Sequence, residues 1–272
     1  MKIQHNQVKR IVHAGGWGIS LLALLLLATQ SADPQAGSDA LTPLPAGEAP
    51  AMEKITAERT NGWEGRRVLS VWHGDPNRKE VALTFDDGPH REYTLRLLDL
   101  LRGLNVRATF FLVGKKVDET PEVLPLIVQG GHEVANHTYH HINLDRATDA
   151  VVQSEIRQGN EAIRRACGVQ PTAFRPPGGH HKPNVLRNAD QLHMKIILWT
   201  NDPADYAMPG ESILAERLDH VSPGTIILLH DGIDQTLQVL PSLIIRLRRD
   251  GYRFVTVSEM VQHLEASGPV EK

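Results

Sequence analysis

The sequence of 272 residues contains one cysteine, Cys167, so it can form neither an intramolecular disulfide nor a cysteine-rich zinc or iron–sulfur site. Aromatic residues make up only 5% of the chain, so no long aromatic platform for a stacked ligand can be recognised. The formal charge of −3 at pH 7 shows no basic excess, which argues against nucleic acid as a partner. Because a single cysteine cannot form a thiolate cluster, any metal must be held by histidine and carboxylate side chains. Histidine is frequent, with 14 residues.

The amino-terminal region lacks an apolar run of the roughly 20 residues that a transmembrane helix needs. Residues 19–28 form a run of ten apolar or small residues, and Lys2, Lys9 and Arg10 precede it. A basic segment followed by a short apolar segment is typical of a secretory signal. We therefore expect residues 1–31 to be a signal peptide or a short membrane anchor, with a buried core helix as the weakest alternative. Either of the first two makes the protein exported: periplasmic, secreted or associated with the cell envelope.

Residues 32–66 contain four prolines and little apolar periodicity, which predicts a linker or an amino-terminal arm. Residues 67–265 are expected to form one catalytic domain, and residues 266–272 a short tail. Within this domain, short apolar segments alternate with amphipathic ones. The predicted strands are Val81–Phe85, Ala108–Val113, His132–Asn136, Thr172–Arg175, Met194–Thr200, Thr225–Leu229 and Arg253–Val257. The predicted helices are Tyr93–Leu104, Glu122–Gln129, Thr148–Arg165, Val185–Gln191, Ser212–His220 and Leu237–Arg249.

This alternation predicts an α/β fold whose parallel sheet is covered on both faces. Polar residues cluster where the predicted strands end, and such clustering is typical of (β/α) barrels, whose active sites lie at the carboxyl ends of the strands. We therefore expect a distorted (β/α) barrel with about seven parallel strands.

The first two polar clusters suggest a metal site. Asp86 and Asp87 follow a buried strand, where two adjacent carboxylates are costly unless a cation or hydrogen bonds compensate them. His137 and His141 are four residues apart, so on a helical turn they share a face. Two imidazoles and one carboxylate form the ligand set of a catalytic zinc site. An ordinary Asp-Asp-Gly turn and a solvated histidine-rich loop are the alternatives, and His140 is a weaker substitute for His141.

Three further clusters follow later strands. In the segment 175–179, prolines stiffen the chain after Arg175, and glycines let backbone N–H groups approach a ligand. The segment 199–206 supplies carboxylates and an aromatic side chain. His230 ends a buried strand, and with a carboxylate partner it would be a candidate general acid. Each of these clusters alone also fits a structural loop or a structural histidine.

Taken in order, the five clusters resemble the family 4 carbohydrate esterases, the polysaccharide deacetylases with a NodB homology domain. The resemblance covers residues 79–262, nearly the whole predicted domain. The matching motifs are TFDDGP at 84–89, HTYHH at 137–141, RPPGG at 175–179, DPADY at 202–206 and LLH at 228–230.

The resemblance implies a metal triad of Asp87, His137 and His141. The expected cofactor is one divalent ion, usually Zn²⁺, with Co²⁺ or Ni²⁺ as alternatives. Asp86 is implied to be the general base that takes a proton from the attacking water. Arg175 is implied to orient Asp86.

The resemblance also implies roles for five other residues. His230 would protonate the leaving amine, and Asp205 would tune His230. The backbone N–H of Gly178 would face the tetrahedral oxyanion, while Tyr206 and Leu228 would line the acetyl pocket. The family often has tyrosine where this chain has Gly178, and tryptophan where it has Tyr206. His180 and His181 are read as residues of the cleft lip.

The implied function is a metal-dependent hydrolase that removes N-acetyl groups from a glycan and releases acetate. Peptidoglycan, a chitin-type oligomer and an exopolysaccharide are the candidate substrates. No nucleic acid is expected as a partner, and a membrane only if residues 1–31 are retained. The alternatives are an O-acetyl xylan-type esterase, a hydrolase of small cyclic amides, and a non-catalytic glycan-binding protein of the cell envelope. The predicted export argues against the small amide.

Overall fold

The computed structural model of the chain describes residues 70–267. Its strands are short, and most of their residues are buried, as expected for strands covered on both faces. The strands are β1 (Ser70–Val71), β2 (Glu80–Gly88), β3 (Thr109–Leu112), β4 (Glu133–Asn136), β5 (Ala173–Phe174), β6 (Lys195–Ile197), β7 (Thr225–His230) and β8 (Arg253–Phe254).

Helices connect these strands and cover the outer face of the sheet. The helices are α1 (Arg91–Gly103), α2 (Gly114–Glu119), α3 (Leu124–Gln129), α4 (Asp149–Cys167), α5 (Pro183–Gln191), α6 (Glu211–Arg217), α7 (Asp234–Arg249) and α8 (Val257–Ala266). Short 3₁₀ turns lie at Pro121–Val123, Leu144–Arg146, Pro177–Gly179 and Asp205–Ala207. None of the helices between residues 70 and 267 is long and apolar enough to span a bilayer.

All strand pairs of the sheet are parallel, and the strand order is β1-β6-β5-β4-β3-β2-β7, with β8 paired to β2. The chain after β6 reaches β7, where Asn201 forms a parallel bridge with Ile227. The sheet therefore curls into a partial barrel, and the carboxyl ends of its strands gather on one rim.

The interior of the curl contains small and branched side chains, among them Ala82, Ala135 and Ile226, and the buried ring of Phe111. Helix α8 packs against this interior cluster at the amino-terminal end of the sheet. Its first backbone N–H, at Val257, donates a hydrogen bond of 3.0 Å to the hydroxyl of Thr109, the first residue of β3. One end of the curled sheet is thus covered by a helix, while the other carries the loops that follow the strands.

The predicted distorted (β/α) barrel is confirmed, and each predicted strand has a counterpart. Strand β1 and helices α2 and α8 have no predicted counterpart, and β2 continues to Gly88, beyond the predicted end at Phe85. The predicted signal or anchor segment 1–31 and the predicted linker 32–66 lie outside the described residues. Of the predicted tail, only residues 266 and 267 are described, and α8 ends at Ala266.

Candidate active site

The carboxyl rim of the sheet brings together polar residues from strands β2, β4, β5 and β7. Strand β2 carries Asp86 and Asp87, and His137 follows β4 directly. Asp86 lies opposite His230 in the pairing of β2 with β7. Arg175 follows β5, and its backbone N–H donates to the carbonyl of Asn136 at the end of β4.

Asp87, His137 and His141 each direct one ligand atom into a common space, and these atoms lie within 4.8 Å of one another. Oδ1 of Asp87 lies 3.0 Å from Nε2 of His141 and 3.5 Å from Nε2 of His137. Even so, Oδ1 is one of three buried side-chain oxygen or nitrogen atoms in residues 70–267 that lack a properly oriented hydrogen bond. Buried polar atoms rarely remain unpaired, so this oxygen is suited to a ligand such as a cation.

The surroundings of the triad favour a neutral His137 and an ionised Asp87. Burial lowers the pKa of His137. Its Nδ1–H donates to the carbonyl oxygen of Arg175 at 2.7 Å, which leaves the lone pair of Nε2 facing Asp87. Burial alone would raise the pKa of Asp87, but the contact with His141 and the positive charge of His141 hold that pKa below its usual range. The contact with Asp87 in turn raises the pKa of His141.

Arg175 is fully buried and fixes the carboxylate of Asp86. Its guanidinium donates to Oδ1 of Asp86 at 2.7 Å and to the hydroxyl of Thr84 at 2.8 Å. Further donor groups of the guanidinium bond the carbonyl oxygens of Ile197 and Leu198, both at 3.0 Å. Oδ2 of Asp86, the oxygen that Arg175 does not bond, lies 3.6 Å from Nε2 of His137. Asp86 therefore presents one free carboxylate oxygen beside the triad.

His230 and Asp205 form a tightly held pair on the other side of Asp86. Nδ1 of His230 lies 2.6 Å from Oδ1 of Asp205, and the backbone N–H of His230 donates to Oδ2 at 2.8 Å. Thr236 of α7 donates its hydroxyl to the same Oδ2 at 2.7 Å. Burial by itself would lower the pKa of His230, but the bond to Asp205 and the charges of Asp205 and Asp86 raise it to about 9. His230 is therefore a proton donor at neutral pH.

The other predicted site residues lie around this centre. Leu228 is buried in β7, and the half-exposed ring of Tyr206 stands edge-on to His230 with 5.3 Å between ring centroids. Gly178 has a φ of 64°, in the left-handed region that favours glycine. A β-carbon at Gly178 would come within 2.8 Å of the imidazole of His180, which therefore occupies the space of a side chain at position 178.

Three other histidines that the sequence analysis considered, His140, His180 and His181, form contacts with groups outside the triad. Nδ1 of His140 lies 2.7 Å from Oε1 of the buried Glu155, so His140 is turned towards α4. Nδ1 of His180 lies 3.1 Å from Oδ2 of Asp145, and Nδ1 of His181 donates to the carbonyl of Gly179 at 2.6 Å.

Several residues that hold the site together are not among the predicted site residues. Glu155 accepts hydrogen bonds from the backbone N–H groups of Tyr139 and His140, and so it fixes the loop between the two histidines of the triad. Thr84 lies inside a recognised motif, but its bond to Arg175 was not foreseen. A buried acid at a helical position is the one signal that could have indicated Glu155.

Comparisons with known proteins identify relatives of this chain. A family model described as polysaccharide deacetylase matches residues 73–197. The chain is 37% identical over 199 residues to a peptidoglycan-N-acetylglucosamine deacetylase of Bacillus cereus, covering 71% of this chain and 93% of the relative. It is 38% identical over 190 residues to a chitooligosaccharide deacetylase of a Bradyrhizobium species, covering 64% of this chain and 87% of the relative.

A solved structure adds a contrasting relative. The crystal structure of a CE4 family pseudoenzyme from Bacillus anthracis superimposes with a TM-score of 0.70 at 31% identity, covering 73% of this chain and 70% of that one. The motifs, the fold and the extended similarity to these relatives lead to one conclusion: this chain belongs to the polysaccharide deacetylases of carbohydrate esterase family 4.

Proposed function

We propose that this protein hydrolyses N-acetyl groups of an N-acetylated glycan, releasing acetate and leaving a free amine. One observation carries the proposal: the ligand atoms of Asp87, His137 and His141 converge beside the free carboxylate oxygen of Asp86, and His230 lies opposite Asp86 on the paired strand. Peptidoglycan and chitin-type oligomers are the first substrates to test, because relatives are named for activity on them.

The triad fits one divalent cation. It offers two imidazole nitrogens and one carboxylate oxygen, which is the three-ligand set of catalytic zinc sites. The unpaired Oδ1 of Asp87 and the fixed tautomer of His137 both suit metal ligation. Zn²⁺ is the proposed ion, with Co²⁺ and Ni²⁺ as alternatives; when bound, it supplies Lewis acidity toward water and the acetamide carbonyl.

Asp86 is the proposed general base. Arg175 occupies Oδ1 and leaves Oδ2 available to accept a proton from the attacking water. Because Arg175 is itself held by the hydroxyl of Thr84 and by two backbone carbonyls, the carboxylate has a fixed direction before substrate arrives. Arg175 is thus a positioning residue for Asp86.

His230 is the proposed general acid. An amide nitrogen is a poor leaving group until it is protonated, so the C–N bond breaks as a proton arrives from His230. Asp205 keeps Nδ1 of His230 protonated and directs Nε2 away from Asp205. The raised pKa of His230, about 9, keeps the imidazolium available at neutral pH. The products are acetate and the free amino sugar.

Three residues complete the proposed site. The backbone N–H of Gly178 is proposed to donate to the oxyanion that forms on the acetyl carbonyl. Leu228 and Tyr206 are proposed to contact the acetyl methyl group, which suits the apolar side chain of Leu228 and the ring face of Tyr206.

A second function is a non-catalytic one, because a structural relative is a pseudoenzyme. In that case the same cleft would bind glycan without turnover. The presence of the base, the acid and the complete ligand triad in this chain favours catalysis.

Acetate release tests the proposal. The full chain is stripped with a chelator, reloaded with Zn²⁺, Co²⁺ or Ni²⁺, and assayed on peptidoglycan, chitooligomers, acetylxylan and a cyclic amide. We expect release from an N-acetylated glycan by the reloaded protein and almost none by the stripped protein. Release only from acetylxylan would instead support the esterase alternative. Glycan binding without acetate release from any substrate would identify a pseudoenzyme.

A further inference from the structure

The turn that carries Asp86 and Asp87 is held through its backbone. Three consecutive carbonyl oxygens accept hydrogen bonds from three different parts of the chain: Asp86 from the N–H of Asp231 at 2.8 Å, and Gly88 from the N–H of Val113 at 2.9 Å. Between them, the carbonyl of Asp87 accepts from Nζ of Lys116 at 2.7 Å. Of these three donors, only Lys116 is a side chain, so only this one can be removed by substitution.

These hydrogen bonds support a residue, Asp87, whose backbone is in the left-handed region. Asp87 has a φ of 69°, which an L-residue with a side chain adopts only under constraint from its surroundings. The direction of its carboxylate follows from that backbone conformation. The ammonium group of Lys116 holds the Asp87 carbonyl on one side, while the carboxylate meets His137 and His141 on the other.

Lys116 is itself aimed by a chain of polar contacts. Its Nζ also donates to Nε2 of His90 at 2.9 Å, and Nδ1 of His90 lies 3.3 Å from Oδ1 of the buried Asp231. Thr94 donates its hydroxyl to the other oxygen of Asp231 at 2.6 Å. Asp231 packs so closely on Gly88 that a β-carbon there would come within 2.5 Å of its carboxylate. The network is therefore anchored in the same turn that it supports.

We propose that Lys116 is a positioning residue that holds the Asp87 carboxylate in place for a divalent cation, with His90 and Asp231 directing its ammonium group. This inference rests on the proposed metal site. The same network would explain why a cationic side chain stands so close to a cation site, where its charge alone is unfavourable.

The sign of one measurement separates positioning from charge. If Lys116 acted only through its charge, replacing it with a neutral residue would remove repulsion and tighten metal binding. If it positions Asp87, the same replacement weakens binding, because loss of an outer-shell partner of a metal ligand typically costs 10- to 100-fold in affinity.

The experiment measures the dissociation constant of Zn²⁺ for the full chain by competition with a chromophoric chelator. We expect Lys116→Met to weaken Zn²⁺ binding by about 10-fold or more. Lys115→Met is the matched control, because the exposed Lys115 is the preceding residue of α2 and its loss removes the same charge. We expect Lys115→Met to bind Zn²⁺ like the wild type. Unchanged or tighter binding by Lys116→Met would overturn the inference.

His90→Ala provides a second variant if Lys116→Met does not fold. It keeps the charge of Lys116 but removes the imidazole that directs it, so we expect weaker Zn²⁺ binding, by a smaller factor. Wild-type affinity in a folded His90→Ala protein would contradict the proposed network. A wild-type chain that binds no Zn²⁺ at all would instead overturn the metal site, and that outcome is recognised before any variant is compared.

Discussion

Both ends of the curled sheet contain carboxylates that are buried or partly buried, but the hydrogen bonding of these carboxylates differs. At the amino end, Glu133 accepts hydrogen bonds from the hydroxyl of Thr109 and from the hydroxyl and N–H of Ser258. Glu80 there is bonded by Arg78, Arg253 and His263. At the carboxyl end, Oδ1 of Asp87 lacks a properly oriented hydrogen bond, and one oxygen of Asp86 faces the triad without a donor from Arg175.

This difference in hydrogen bonding separates carboxylates that stabilise the fold from carboxylates that are suited to chemistry. A buried carboxylate whose oxygens all accept hydrogen bonds links strands and helices, and its hydrogen-bonding needs are met without a ligand. A buried carboxylate with an available oxygen is costly for folding, and it is tolerated where that oxygen binds a cation or accepts a proton. An available oxygen, rather than burial, therefore distinguishes Asp86 and Asp87 from the other carboxylates. Asp205 and Asp231, on the same rim, are bonded on both oxygens, as Glu80 and Glu133 are at the amino end.

Backbone conformation gives the same contrast. Of the seven left-handed residues other than glycine in residues 70–267, five lie on the carboxyl rim, in or beside the triad or in the loop that carries Asp205. They are Asp87, Thr138, His141, Ala204 and Met208. The two others, Asn105 and His193, follow the ends of α1 and α5, where helices often end in such a conformation. Strain at a helix end has a local explanation, whereas strain around the triad fits a functional one.

The largest expected effect comes from Asp86→Asn at the carboxyl end. The amide oxygen of asparagine can still accept from Arg175, but the side chain no longer takes a proton from water. We expect acetate release to fall by roughly 10³-fold, within the range typical of general acid–base catalysis, while Zn²⁺ content stays near the wild-type value. Steady-state acetate release and metal analysis of the purified variant check both parts.

Asp99→Asn is the matched control, because Asp99 is an exposed carboxylate of α1 whose partner is Arg102. We expect wild-type activity from it. Wild-type activity in Asp86→Asn would remove Asp86 from the role of base and would weaken the contrast between the two ends.

His230→Ala is expected to have the next largest effect, and the substrate should determine its size. Amide cleavage needs a proton on the leaving nitrogen, so we expect it to slow by roughly 10²-fold. An activated ester such as 4-nitrophenyl acetate releases a stable anion without that proton, so its hydrolysis should slow far less. Because both rates are measured on the same variant, the ester rate serves as an internal control for folding and metal content. An equal loss on both substrates would place the role of His230 at attack on the carbonyl rather than at departure of the amine.

The residues that meet at the carboxyl rim could be predicted from the sequence, because parallel strands align their carboxyl ends. Asp86, His137 and Arg175 each follow an apolar run, so their proximity follows from the fold class once the runs are recognised. The chemical roles of these residues came from the resemblance to a family, and they are what the variants test.

The supporting residues could not be predicted in the same way. Helix α2 has six residues, and only Gly114 and Val117 are buried. Apolar periodicity therefore predicts neither this helix nor the position of Lys116. Strand β1 has two residues and pairs with β6, far away in the sequence. Contacts of this kind depend on how distant segments meet, and a single sequence carries no local signal for them.

At the amino end, His132 should affect stability rather than activity. Its Nδ1 accepts a hydrogen bond from the N–H of Ala108 at 3.1 Å, so the folded protein needs the neutral ring. Burial, together with the charge of Arg107, lowers the pKa of His132 from 6.5 to about 4. Between those values the unfolded chain binds more protons than the folded one, so the free energy of unfolding falls as the pH drops through this window.

His132→Asn removes this titration and keeps an oxygen that can accept from Ala108. Between pH 7.5 and pH 5, we expect the wild type to lose about 2 kcal/mol more unfolding free energy than the variant. Urea unfolding at the two pH values measures the difference, and acetate release at pH 7.5 should stay near the wild-type rate. Equal pH dependence in the two proteins would show that His132 titrates normally in the folded state.

The smallest expected effect is that of Thr256→Ala at the same end. Thr256 caps α8: its hydroxyl accepts from the N–H of Glu259 at 3.3 Å, while the Glu259 carboxylate accepts from the N–H of Thr256 at 3.0 Å. Loss of a threonine cap typically costs about 1 kcal/mol of unfolding free energy. Because α8 packs against the amino end of β3, far along the strands from the triad, we expect this loss without any change in Zn²⁺ affinity or acetate release. A fall in Zn²⁺ affinity in Thr256→Ala would mean that the two ends of the sheet are coupled. The hydrogen bonds at the amino end would then also support the metal site at the carboxyl end.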